Sequence, residues 1–177
     1  GDIELIFVDK NETIHAYNPN INAEIMGWPV LIGEESISEP IIVDLDNNSD
    51  LEVVVTTLDG KVHIYHHDGL AYTNFPFSTE DSILTTPSVG DLDNDGDYEI
   101  IIGTLNTLEV IDIQQMRGDQ YSWKIYRGNK SRNGYFDASL GTLESKYNKT
   151  PLNFSLSNNY PNPFNPLTSI KYSIPKK

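Results

Sequence analysis

Residues 91–99 read DLDNDGDYE, with carboxylates at loop positions 1, 3 and 5 (Asp91, Asp93 and Asp95), Gly96 at position 6 and Glu99 at position 9. This spacing predicts a calcium loop. A hard divalent cation takes about six to eight oxygens, alternate residues of a tight loop can all turn inward, and glycine serves where the backbone bends sharply. The alternative is a solvated acidic turn without metal.

The residues after the loop exclude an EF-hand, which would place a glutamate at about position 12 and run on into a helix. Position 12 here is Ile102, inside YEIIIGT at 98–104. Three consecutive isoleucines flanked by Tyr and Thr favour a largely buried strand.

The pattern occurs twice. Residues 44–52 read DLDNNSDLE and run into LEVVVTT, so Asp91 follows Asp44 by 47 residues. Pro40 and Pro87, and Trp28-Pro29 and Phe75-Pro76, keep that offset of 47. IELIFVDKNETIHAY near the start parallels LEVVVTTLDGKVHIY at an offset of 48, and Trp123 lies 95 residues after Trp28. The chain therefore begins inside a repeat and carries a last partial unit. A period in the forties with several short strands per unit predicts propeller blades, each a four-stranded antiparallel sheet. In the second unit the expected strands are 51–57, 61–67, 75–78 and 85–91, with Asp59-Gly60 as a hairpin signal. Alternation in KVHIYHH sets Val62 and Ile64 on one face and Lys61, His63 and Tyr65 on the other.

DLDNDGDYE followed by EIIIGT, GWP at 27–29, DGKVHIYHHDG at 59–69 and WKIYRGNKSRNGY near the end together resemble FG-GAP or VCBS-type propeller repeats over about residues 1–136. The resemblance implies a calcium site at a blade, with side chains at positions 1, 3, 5 and 9 and the carbonyl at 7. These are Asp91, Asp93, Asp95, Glu99 and the carbonyl of Asp97. In the first loop the corresponding ligands are Asp44, Asp46, Asn48, Glu52 and the carbonyl of Asp50. That loop has Asn48 at position 5 and Ser49 in the glycine's place, so it has one charge fewer, and weaker binding or a metal-free polar turn is expected.

A second resemblance lies at the C-terminus. FSLSNNYPNPFNPLTSIKYSIP at 154–175 is similar to the opening of a type IX secretion C-terminal sorting domain. Pro161, Pro163 and Pro166 forbid helix, and Ile170, Tyr172 and Ile174 then alternate with Lys171 and Ser173. The resemblance implies a bacterial protein that meets the type IX secretion machinery through this segment and is secreted or attached to the cell surface. Residues 137–153 lose the strand pattern and read as a linker.

The net charge of −14 is uneven: residues 1–116 carry −21 and residues 117–177 carry +7. The acidic part would repel nucleic acid, and it has no basic face interleaved with aromatics. Arg127, Lys130 and Arg132 cluster, but three bases in a polar turn read as a solvated loop. No apolar run approaches the roughly 18 residues of a membrane helix. There is no cysteine, so calcium would take the place of disulfides as the staple. With a start inside a repeat and no methionine, further blades, and any signal peptide, are expected upstream.

No GxSxG, HExxH, Walker-type glycine loop or cysteine nucleophile is present, so no catalytic residue is expected. His63 and His66 have HxxH spacing, with His67 adjacent, but on a strand 63 and 66 face opposite sides, and His15 occupies the slot of His63. A structural role is expected for them. Trp28 and Trp123 read as packing anchors rather than sugar platforms, and Tyr121, Tyr126 and Tyr135 need no ligand to explain them.

The expected fold is all-β, an incomplete propeller of four-stranded antiparallel blades with a partial C-terminal β-sandwich-like sorting segment. Its parts are propeller repeats over 1–136 (a partial blade 1–43, a unit 44–90 and a last unit 91–136), the linker 137–153 and the sorting segment 154–177. The expected function is non-catalytic: a calcium-binding segment of a secreted or cell-surface protein that binds a protein or glycan. The alternative is the accessory end of a secreted peptidase or glycosidase whose catalytic domain lies upstream.

Overall fold

The computed structural model describes residues 4–118, 123–128, 155–156 and 172–173. The chain divides into two compact units, Gly1–Phe136 and Asp137–Lys177. In the second unit the described residues form one antiparallel pair, Ser155–Leu156 with Tyr172–Ser173. The 137–153 linker, most of the 154–177 segment, and Tyr121, Lys130, Arg132 and Tyr135 lie outside the described residues.

The first unit is all-β, in antiparallel sheets that do not close. One sheet holds β1 (Leu5–Val8), β2 (Thr13–Asn18), β3 (Ala23–Glu24) and β4 (Val30–Leu31), with β3 and β4 both on the far edge of β2. The next runs in order β5 (Ile41–Val43), β6 (Glu52–Thr56), β7 (Lys61–Tyr65) and β8 (Phe77–Ser78). The last holds β9 (Ser88–Gly90), β10 (Asp97–Gly103) and β11 (Leu108–Met116).

Strand β6 of the middle sheet is buried on both faces. Val54 joins Ile41, Val43, Val62 and Ile64 in a cluster with Val89, Tyr98, Ile100 and Ile102 of the last sheet. Its neighbours Val53 and Val55 point the other way, to Ile14, Ala16 and Trp28 of the first sheet. A run of valines, with no polar alternation, is what a strand needs when each face meets another sheet. Trp28 is 7 % exposed, meets Tyr65 edge to face and donates from Nε1 to the His67 carbonyl at 2.9 Å, as a packing anchor does.

Sheets and repeat units are out of phase. The strand expected at 85–91 as the end of the second unit is β9, and it pairs with β10 of the next sheet. Each acidic loop is a hairpin connection inside one sheet, so a period counted from the loop cuts the sheet after its first strand. The backbone nonetheless repeats closely. Trp28-Pro29 and Phe75-Pro76 are both cis, and left-handed residues recur in pairs: Glu12 with Gly60, Asn22 with Gly69, Gly27 with Asn74, Asn47 with Asn94, and Ser49 with Gly96. Gly27 and Gly69 sit where the first two sheets' loops touch, and a Cβ on Gly27 would lie 1.7 Å from the Asp68 carbonyl oxygen. Only glycine fits there.

On the first sheet, His15 Nδ1 lies 2.7 Å from Glu24 Oε1 and Nε2 lies 3.5 Å from Asp9 Oδ2, with Phe7 stacked on the ring. The hydrogen bond to Glu24 raises the imidazole pKa above 6.5; partial burial opposes the rise and Asp9 adds to it. A raised histidine stabilises the fold fully below its unfolded value, and that contribution is lost as pH rises through the folded one. Thermal melts of the native chain and His15→Gln from pH 5.5 to 8.5 should therefore show the largest gap at the acid end, shrinking as pH rises. A gap that grows with pH would contradict the pairing.

Candidate metal centre

Both acidic loops are built on the same frame. The first joins β5 to β6 with Val43 opposite Glu52, and the second joins β9 to β10 with Gly90 opposite Glu99. The position-9 glutamate is thus set at the root of its hairpin, where it is 0 % exposed in the first loop and 6 % in the second. From there Oε2 accepts the amide of position 2: Leu45 N at 2.8 Å and Leu92 N at 2.6 Å. One carboxylate oxygen closes each loop, and the other remains for the interior.

Side chains at odd positions brace the turns. Asp95 N donates to Asp93 Oδ1 and Asp97 N to Asp95 Oδ1, both at 3.2 Å. In the first loop Asp50 N donates to Asn48 Oδ1 at 2.7 Å, and Ser49 N to Asp44 Oδ2 at 3.3 Å. Each loop turns left-handed at positions 4 and 6, through Asn47 and Ser49 or through Asn94 and Gly96.

In the second loop, carboxylate oxygens of Asp93, Asp95, Asp97 and Glu99 lie within 4.8 Å of one another. That group could hold a metal ion. Without a cation the crowding falls on one carboxyl: the hydrogen bond shared with Asp95, then burial and nearby charges, push Asp97 up to about 6. Two placements differ from the expected ligand set. Asp97 brings its carboxylate, not only a carbonyl, to the group, whereas the Asp91 carboxylate is outside it and lies 3.4 Å from Arg117 Nε.

In the first loop the structure gathers Asp46 and Glu52, and it adds His66. Asp44 is outside that group, and the Asp50 carboxylate sits 3.5 Å from His67 Nδ1. His66 Nδ1 lies 3.2 Å from Glu52 Oε1, while its ring tilts on Tyr72 at 4.9 Å. Burial raises the Glu52 pKa, against the Leu45 amide and His66, which lower it. Burial also pushes the Tyr72 hydroxyl up to about 12, reinforced by the charges of Asp46, Glu52 and Asp44. His63 belongs to a separate pairing, with Nε2 3.2 Å from Glu34 Oε2.

The loops share one further property. Asp44 Oδ1, Asp46 Oδ1, Asp91 Oδ1 and Asp97 Oδ1 are buried with no hydrogen-bond donor. Carboxylate oxygens only accept, and burying one without a donor or cation is costly. The oxygen-only set of the second loop therefore fits a hard cation, and the buried aspartate oxygens of the first also call for positive charge.

Sequence reasoning set His66 aside and did not single out Arg117, Gly118 or Tyr72 for this site. Gly118 donates its amide to the Asp44 carbonyl at 3.2 Å and leaves no room for a Cβ, which would lie 1.8 Å from Asp44 Oδ2. Arg117 N donates to the Gly96 carbonyl at 3.1 Å. Two consecutive residues at the end of β11 thus touch both loops. No spacing rule links 117–118 to residue 44, so only the chain's return reveals them.

The family described as an FG-GAP-like repeat matches residues 44–102, a span that starts at the first loop and ends within β10. No match is found among curated proteins.

The position-6 residues invite a paired test. Gly96 has φ of +103° with open space around its missing Cβ, so Gly96→Ala meets a backbone penalty alone, about 1–2 kcal/mol. Ser49 already bears that conformation at φ of 74°, so Ser49→Gly should stabilise, by less, because glycine also loses more freedom on folding. Urea unfolding in chelator checks both signs.

Proposed function

We propose that this chain is a non-catalytic, calcium-binding segment of propeller-type repeats from a secreted or cell-surface bacterial protein, and that it binds a protein or glycan. The observation that carries the calcium reading is the set of four buried, donorless carboxylate oxygens in two loops of equivalent register. Asp93, Asp95, Asp97 and Glu99 would hold calcium in the second loop, and Asp44, Asp46, Asn48, Glu52 and the carbonyl of Asp50 offer oxygens to a cation in the first. Bound calcium supplies positive charge where carboxylates otherwise repel one another.

The chain's own residues do the rest. Glu52 and Glu99 hold the loop mouths through the amides of Leu45 and Leu92, while Arg117 and Gly118 tie the loops to β11. Metal binding is then linked to the stability of the sheet roots. The FG-GAP-like repeat supports a propeller-type, non-catalytic reading, and the extracellular habit of such repeats supports the location. Ligand binding rests on the fold type, which does not by itself fix function. A cleft of about 530 Å³, with Phe75 and Phe77 beside Asn74 and Gln114, offers apolar and amide surface of the kind that protein and glycan partners use. The type IX machinery remains the proposed partner of the C-terminal segment.

Calorimetric titration of the full chain with calcium, alongside melts in calcium and in chelator, tests the reading. Asp93→Ala should weaken calcium binding and lower the melting temperature much more in calcium than in chelator, where only the brace to the Asp95 amide is lost. Equal losses with and without metal would show an ordinary acidic turn.

A further inference from the structure

We propose that the two loops differ in the metal they take: Asp46, Glu52 and His66 form a mixed nitrogen and oxygen site for a borderline divalent cation of the zinc class, while the all-oxygen second loop takes calcium. This rests on the cation-binding function proposed for the loops and names the metal of one of them.

His66 is not part of the acidic loop. It follows β7, which pairs with β6, and this pairing brings its ring to the root glutamate of the loop. The 3.2 Å between Nδ1 and Glu52 Oε1 is about the edge spanned by two donors that each lie about 2.1 Å from a shared ion. Imidazole suits zinc and its neighbours, whereas calcium takes oxygen. The loop is also poorer in anionic oxygen than its counterpart. Position 5 is Asn48, whose Oδ1 already accepts the Asp50 amide at 2.7 Å.

Asp44 gives an independent sign of a missing cation. It is 1 % exposed, and Oδ2 is turned into the loop toward the Ser49 amide, while Oδ1 has no donor. Asp46, a member of the group, likewise has a buried Oδ1 without a donor. Asp46 and His66 also line the 530 Å³ cleft, so a cation they share has an open side. Water, or an oxygen of a molecule in the cleft, would complete its coordination.

The repeat makes His66 specific to this unit. The equivalent slot one period earlier is Asn18, and in the last sheet the residue opposite the root glutamate Glu99 is Asp112, so neither offers an imidazole.

Metal-stripped full chain is titrated separately with zinc and with calcium, and each variant is melted with each ion. In the native chain zinc should bind at one site and calcium should raise the melting temperature. His66→Gln should weaken zinc by about tenfold or more and keep the calcium-induced rise, which also shows that the variant folds. Asp95→Asn should do the reverse. Nitrogen-detected magnetic resonance should show zinc shifting the His66 ring. Zinc affinity unchanged by His66→Gln, or calcium binding without zinc binding, would overturn this inference and leave the calcium reading standing. Binding of neither ion would remove both.

Discussion

A buried glutamate at the root of each hairpin is the contact on which the acidic loops depend. Glu52 and Glu99 sit opposite the last residue of the preceding strand, and each accepts the amide two residues past that strand. With one oxygen so used, the carboxylate cannot turn to solvent, and its second oxygen is committed to the loop interior. In the second loop that interior holds three aspartates, and in the first it holds Asp46 and His66. A buried carboxylate with no donor is destabilising, so this frame leaves each loop with oxygens that could hold a cation.

The first loop is held in place because β6, which it leads into, has no exposed face. Val53 and Val55 serve one neighbour and Val54 the other, so β6 is pinned from both sides. The root of the first loop is the first residue of that strand, which explains why Glu52 is fully buried. The second loop opens a sheet whose outer strand, β11, is mostly exposed, and its aspartates are accordingly more open to water. The loops share a sequence pattern but differ in environment.

Much of this was legible in the residues. The period of 47 and the runs LEVVVTT and YEIIIGT predicted strands that the structure contains, and Asp59-Gly60 forms the hairpin between β6 and β7. The left-handed turn at Ser49 followed from its place in the glycine slot. Sheet boundaries were not legible, since periodicity gives the length of a repeat but not where a sheet begins; hydrogen bonding between β9 and β10 decides that. Asp97 was assigned a carbonyl because the loop pattern counts positions and not rotamers, and the structure turns its carboxylate inward as well.

By itself the sequence determined the strand class, the two acidic loops, the turn residues and the spacing of the root glutamates. All of these are local, because they depend on side-chain type and on separations of a few residues. Only the tertiary structure decided that His66 joins Asp46 and Glu52, that Asp91 meets Arg117, and that Gly118 closes against Asp44. These pairs are 14 to 74 residues apart. Strand pairing and sheet stacking set such distances, and no residue's type or neighbours carry them.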